Sequence, residues 1–262
     1  AYWSAGMSWF DALGHSFSTV AIGGFSMYDA SIGYFDSTTI ELICVAFMVL
    51  SSISFGLHFA VWREKRLGQY LRDPEFCFFI MLLLLLSVIT ILTLLVSQTY
   101  HDHTGVRHGL FEAVSIATTA GFGVADFSSW PGALPFMLFV AAFVGACSGS
   151  AGGGIKVIRI LLILKQGMRE VLRLIHPNAV IAVKIGRTSV PDNVSQAVWG
   201  FFSVYIMLFL VMLVGMLATG LDQVTAWSAV ASALNNLGPG LGEVSYHYGD
   251  IPATAKWILV VA

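Results

Sequence analysis

Strongly apolar runs alternate along the chain with short stretches rich in glycine, hydroxyl residues and acids, and the helices they predict come in two lengths. A helix rises about 1.5 Å per residue, so roughly twenty apolar residues are needed to cross the hydrocarbon core. Four runs meet that requirement. They are residues 38–61, with Glu41 near one end; 76–96, which follows Asp73-Pro74-Glu75 and carries no charge; 131–164, long and interrupted by glycine; and 198–219, again without charge. Residues 252–262 predict a further helix that stops before it can cross. The start, residues 1–10, leads almost at once into a glycine turn without a signal peptide. The chain is therefore expected to be an internal stretch of a larger polypeptide.

The shorter helices carry a repeat. Ser16 to Phe25, Val114 to Gly123 and Leu234 to Gly240 each place a small, hydroxyl- or amide-rich helical stretch before a glycine turn, and a strongly apolar run follows each. Aligned on Gly24, Gly121 and Gly238, the copies are 97 and 117 residues apart and bring His15, Glu112 and Ala229 to one position. That spacing is too long for a small solenoid repeat. It suits a module of spanning helix, re-entrant half-helix, turn and spanning helix.

Composition fixes the solvent: 57% hydrophobic and 11% charged residues belong to a chain that lives in a bilayer. A net charge of −2 gives no case for a nucleic-acid partner. Cys44, Cys77 and Cys147 all lie in apolar surroundings and read as packed thiols. Of thirteen basic residues, eleven fall in two segments, one with Arg63, Lys65, Arg66 and Arg72, the other with Lys156, Arg159, Lys165, Arg169, Arg173, Lys184 and Arg187. Counting spans puts both on one side, which the positive-inside rule makes cytoplasmic. The other side holds Arg107 and Lys256 with ten of the fifteen acids, among them Asp29, Asp126 and Asp222. All three glycine turns thus face an acid-rich outer vestibule that concentrates cations.

Backbone that is neither helix nor barrel survives at membrane depth only where protein buries it or water reaches it. A glycine turn there is a candidate lining for an aqueous path, because glycine reaches positive φ without a Cβ clash and carbonyls can replace an ion's hydration shell. The negative C-terminal end of each half-helix favours a cation. The competing reading is close helix packing, which also gathers Gly, Ala, Ser and Thr. Three copies at corresponding positions favour the path.

These residues resemble the Trk/Ktr/HKT superfamily of potassium and sodium transporters, and closely its bacterial TrkH branch. The resemblance runs the whole chain: Phe10 to Thr19 leading into Ala21-Ile22-Gly23-Gly24-Phe25-Ser26, then Thr118-Thr119-Ala120-Gly121-Phe122-Gly123, then Asn235-Asn236-Leu237-Gly238-Pro239-Gly240. It implies an all-α polytopic membrane protein of pseudo-fourfold design, with helix, re-entrant pore helix and helix modules around one ion path. The filter residues it implies are Ala21, Ile22, Gly23 and Gly24; Thr118, Thr119, Ala120 and Gly121; and Asn235, Asn236, Leu237 and Gly238, with potassium as substrate and no cofactor. It further implies a homodimer in the bacterial inner membrane and a cytosolic TrkA-like nucleotide-binding regulatory ring. A complete ring requires a further module upstream. The filters depart from the Thr-Val-Gly-Tyr-Gly of tetrameric potassium channels, which implies fewer carbonyl sites and a more modest preference for potassium.

Gly145 to Gly154, in the middle of the long run, forms a second distinctive element. Glycine costs about 1 kcal/mol against alanine in a helix, so this cluster should divide the run into two helices. It is superficially similar to a phosphate-binding loop, yet Gly154-Ile155-Lys156-Val157 separates glycine from lysine and lacks the hydroxyl that would hold magnesium. The resemblance implies an intramembrane gate here, comprising Gly145, Ser148, Gly149, Ser150, Gly152, Gly153, Gly154, Lys156 and Arg159. A plain packing kink is the other reading. Lys156 and Arg159 either meet a counter-charge or snorkel to the interface.

Remaining polar features say less. His101-Asp102-His103 has a spacing seen in metal sites but lacks an evident third ligand. Glu112 is suited to anchoring the third turn through hydrogen bonds, and Asn235 and Asn236 to bracing the fourth. Lys165 to Ser195 is a basic segment that fits either a docking surface or ordinary positive-inside bias. The organisation expected is 1–61, pore helix, filter and second helix of one module; 62–75, a cytoplasmic loop; 76–165, a complete module; 166–196, a basic cytoplasmic segment; and 197–262, a module truncated in its last helix. Covalent chemistry is not expected, because the clean spans carry no acid, base or metal ligand. The alternatives are an ion-coupled transporter of a small solute, whose halves usually have inverted topology, and a sodium-permeable member of the same superfamily.

Overall fold

The computed structural model describes residues 1–262 apart from His101, Val180, Arg187 and Tyr246. Two of its helices are long and apolar enough to cross a membrane, α4 (Pro74–Val96) and α8 (Asp192–Ala218). The first is started by Asp73, whose carboxylate accepts from the Phe76 N–H at 2.8 Å, with Pro74 at the position where a missing N–H costs nothing.

Three of the shorter helices stand where the sequence predicts half-helices. They are α1 (Trp9–Val20, 12 residues), α5 (Thr104–Ala117, 14 residues) and α9 (Gln223–Asn235, 13 residues). At about 1.5 Å per residue each spans only some two-thirds of the hydrocarbon. Asp222 starts α9 by accepting from the Val224 and Thr225 N–H groups at 2.9 and 3.1 Å. The second and third of these short helices pack among several other helices. The helix α5 packs against α2 (Thr38–Ser52), α4 and α6 (Leu134–Val144), and α9 packs against α6, α8 and α10 (Ala253–Val260). Phe111, Val114 and Ile116 of α5 and Ala229, Val230 and Ala231 of α9 are all buried. The three short helices and two of the four expected spans lie where the sequence pattern puts them.

One expected span is different. Residues 38–61 do not form a straight helix: α2 ends at Ser52, and α3 (Phe55–Glu64) leaves at 90° to it. Ser52 turns its hydroxyl back onto the Met48 carbonyl at 2.7 Å, and Ile53 is extended. The backbone groups freed by this bend are used elsewhere. Ser51 and Ser52 carbonyls accept from the Ala151 and Cys147 N–H groups at 3.2 and 3.0 Å, and the Phe55 N–H donates to the Gly149 carbonyl at 2.9 Å.

The run 131–164 is broken, as its glycines predict, into α6 and α7 (Val157–Ile175). Between them the chain returns on itself, so that Ile155 and Lys156 N–H groups meet the Phe143 and Val144 carbonyls at the end of α6. Lys184–Ile185 and Thr188–Ser189 make a small antiparallel pair in the basic segment. Of the three cysteines, Cys44 and Cys147 are buried as expected, whereas Cys77 is exposed on α4.

Candidate functional site

The three glycine turns share one backbone. One or two residues past the end of each half-helix, a residue other than glycine is left-handed: Ile22 at φ 52°, Thr119 at 63° and Asn236 at 54°. Two residues on, Gly24, Gly121 and Gly238 are again at positive φ, at 67°, 76° and 101°. In each turn the residue between them closes back onto a serine carbonyl: Gly23 to Ser18 at 2.8 Å, Ala120 to Ser115 at 2.8 Å and Leu237 to Ser232 at 2.9 Å. This is the six-to-one bond of a Schellman end. Glycine normally fills its left-handed position. A β-branched residue there costs about 1–3 kcal/mol and persists only where its surroundings over-determine it. Ile22 and Thr119 are both fully enclosed.

The turns also touch. A Cβ on Gly24 would overlap the Ala120 carbonyl, and a Cβ on Gly121 would overlap the Leu237 carbonyl and lie 2.9 Å from Pro239 Cδ. The first turn therefore abuts the second, and the second abuts the third. Above them lies a cavity of about 450 Å³ bordered by Gly24, Gly121 and Gly238 and carrying Asp29, Glu112 and Asp126.

A polar side chain of each half-helix ties down the limb that leaves its turn. Glu112 Oε1 accepts from the Val124 and Ala125 N–H groups at 2.7 and 3.1 Å. His15 Nδ1 faces the Asp11 carbonyl at 2.8 Å while Nε2 lies 2.9 Å from the Ser26 hydroxyl. In the last copy, where Ala229 stands at the aligned position, neighbouring Ser228 accepts from the Leu241 N–H at 2.8 Å. Asn235 does not brace its turn. Its Oδ1 accepts from Tyr205 on α8 at 2.9 Å and its Nδ2 donates to Ala231 at 2.8 Å, so it fixes the half-helix to a spanning one. Asn236 contributes its left-handed backbone, and the Gly238 carbonyl accepts from Tyr248 at 2.8 Å.

Beneath the turns, on the side opposite the cavity, lies the glycine loop. The Gly153 N–H donates to Thr119 Oγ1 at 2.6 Å, and a Cβ on Gly152 would lie 2.9 Å from the Thr118 carbonyl. A Cβ on Gly153 would overlap the Asn235 carbonyl. Gly145, Gly149 and Gly154 are left-handed, at 70°, 72° and 78°. Ser150 donates to the Cys147 carbonyl, and the Ser148 N–H donates to Glu75. Neither Lys156 nor Arg159 forms an ion pair among the described residues. The Lys156 ammonium donates to the Gly152 carbonyl inside the loop. Arg159 donates to Ile155 at 3.1 Å and stacks its guanidinium 4.2 Å from the Phe201 ring centre.

Near the start of α5, Arg107 forks onto buried Glu41 of α2, with both bonds at 2.6 Å, and reaches Asp36 at 2.8 Å. Hydrogen bonds from Thr225, side chain first and then backbone, hold the Asp222 carboxyl below the usual carboxylate range. The metal motif 101–103 begins at His101, outside the described residues, as Arg187 of the basic set also is. Asp102 is occupied in accepting from Thr104. No group of three or more metal-ligating side chains occurs among the described residues. Glu75, Tyr205, Tyr248 and the carbonyls of Ser51 and Ser52 are contributors that the sequence pattern did not single out.

Comparison with known proteins bears on the family and the fold. The family model for TrkH, described as a cation transport protein, matches residues 1–262. The "Trk system potassium uptake protein TrkH" of Halomonas elongata is 70% identical over 262 residues, which are 100% of this chain and 54% of that protein. The protein of the same name from Vibrio parahaemolyticus is 51% identical over 265 residues, covering 100% of this chain and 55% of its own length. The crystal structure of the potassium transporter TrkH from Vibrio parahaemolyticus superposes with a TM-score of 0.94 at 51% identity, over 99% of this chain and 56% of that one. The chain spans about half the length of the relatives it matches, and its helical, multi-span membrane fold is theirs. With a family model matched from end to end and one solved relative sharing the whole described architecture, the chain belongs to the TrkH family of cation transport proteins.

Proposed function

We propose that this chain forms three of the four quarters of a potassium-uptake path in the bacterial inner membrane. Ala21 to Gly24, Thr118 to Gly121 and Asn235 to Gly238 act as its selectivity filter, and Gly145 to Arg159 as its gate. The observation that carries the reading is the threefold recurrence of one backbone, left-handed two residues before a left-handed glycine, at turns that abut one another. Alternating handedness turns successive carbonyls away from the up-and-down order of an extended strand, so that they can be offered to one side, where a dehydrated cation accepts them. The three half-helices end at these turns and direct their negative ends toward the same place. Acids in the outer cavity raise the local cation concentration.

The glycine loop obstructs this path. It lies against the helix-side carbonyls of Thr118 and Asn235, on the side away from the outer cavity, and has no helix of its own to keep it there. Its displacement opens the way to the cytosol. The names of the relatives, potassium uptake proteins of a Trk system, favour potassium as the ion. The homodimer and the TrkA-like ring follow from the family resemblance, with Lys165 to Ser195 as the basic face available to such a partner.

Rubidium-86 uptake tests the function. The full-length polypeptide carrying this chain is reconstituted in proteoliposomes and challenged with potassium, sodium and lithium. Competition by potassium well before sodium, and none by lithium, is the expected result. Equal competition by sodium would favour a sodium-permeable transporter, and no uptake with or without a regulatory partner would overturn the reading.

A further inference from the structure

Glu75 is the one side chain in the described residues that fastens both limbs of the glycine loop. It stands in the first turn of α4, and a single oxygen, Oε1, accepts from the Ser148 N–H at 2.6 Å and from the Ile158 N–H at 3.1 Å. Ser148 belongs to the limb that leaves α6, and Ile158 lies in the first turn of α7, where the loop ends. Lys156, at the cap position of α7, supplies no side-chain acceptor for that helix. The exposed N–H groups of a helix start attract a carboxylate, and here the carboxylate comes from another helix. The loop's other fastenings are backbone bonds: Ile155, Lys156 and Val157 N–H groups to the Phe143, Val144 and Ala146 carbonyls join its ends, residues 51–55 meet Cys147, Gly149 and Ala151, and the Gly153 N–H reaches the Thr119 hydroxyl.

We infer that Glu75 is a latch: a positioning residue that holds the glycine loop across the ion path by binding its entry and its exit to the same oxygen. The inference rests on the gate reading above. Release of this oxygen frees Ser148 from the α7 start and loosens the segment between Cys147 and Gly153, whose ends stay joined by backbone bonds, while the filter, held by its own half-helices, keeps its geometry. The latch therefore sets how often the path opens and leaves the choice of ion untouched.

The test compares Glu75→Ala and Glu75→Gln with a deletion within Gly149 to Gly154, all in the full-length protein, by rubidium-86 uptake and potassium-against-sodium competition. Glu75→Ala is expected to raise uptake about tenfold, equivalent to ~1.4 kcal/mol in the open fraction, with an unchanged competition ratio. Glu75→Gln keeps an acceptor oxygen without its charge and should raise uptake less. Raised uptake in the deletion with unchanged uptake in both Glu75 variants overturns the latch alone. Unchanged uptake in a folded deletion variant overturns the gate reading. A fall in the competition ratio of either Glu75 variant, or failure of both to fold, also counts against the latch, because either would make Glu75 part of the filter's support or of the fold.

Discussion

Each glycine turn is closed by its own half-helix, through an N–H that reaches five residues back to a serine carbonyl, whereas the glycine loop, beyond the backbone bonds that join its ends, is fastened by residues far away in sequence. Ser51, Ser52 and Phe55 at the α2–α3 bend, Glu75 on α4 and Thr119 in the second turn all contribute to it. Both regions are non-helical backbone, which the proposed function places at membrane depth, where unpaired polar groups are costly. The difference lies in where the partners come from. Local closure makes a turn as rigid as the helix it ends. Distant closure holds a segment only while its neighbours stay in place, which is what a movable element requires.

That contrast breaks most sharply at Gly121. A serine there must adopt φ near 76° and place its Cβ on the Leu237 carbonyl. Gly121→Ser should therefore strain this turn by about 3 kcal/mol, the upper end of the cost of a strained backbone, and lower the proposed filter's preference for potassium. Competition between potassium and sodium for rubidium uptake reads it, and an unchanged ratio in a normally expressed variant would remove this turn from the filter. Glu112→Ala comes next. It strands the Val124 and Ala125 N–H groups and should lower the same ratio by about 2 kcal/mol, while Glu112→Gln, which keeps an acceptor, should largely preserve it.

The loop should respond in the opposite sense. Removing part of Gly149 to Gly154 is expected to raise flux about tenfold, ~1.4 kcal/mol, without altering the ratio. Abolished flux in a folded protein would mean that the loop lines the path and does not close it. The smallest effect belongs to Asp222, whose carboxylate caps α9. Asp222→Ala should cost about 1 kcal/mol of stability. The native carboxyl lies below the usual range, so its contribution is complete above about pH 4 and is lost as pH falls through the lower folded value. Melting curves of native and variant protein should therefore converge in acid and stay apart from about pH 5 to 8.

The same contrast explains what can be read from the sequence. Half-helices, turns and the broken run 131–164 are legible because serine, small residues and glycine carry their signals locally. The left-handed backbone at Ile22 and Thr119 is not, since β-branched residues disfavour it and only tertiary enclosure enforces it. Nothing in the apolar run 38–61 announces a 90° bend, whose freed carbonyls find their donors about a hundred residues away in the loop. Glu75 reads as an ordinary residue at a helix start, and Asn235 as a brace for its turn, although its partner is Tyr205. Family membership is carried by the motifs themselves, and matches along the entire chain bear it out.

Rubidium anomalous diffraction from crystals of the full-length protein tests most directly whether the three turns are one ion site. The expected result is density on the axis enclosed by the carbonyls of Ala21 to Gly24, Thr118 to Gly121 and Asn235 to Gly238, on the outer side of Gly153. Rubidium density confined to the outer cavity around Asp29 and Asp126, with none between the turns, would contradict it.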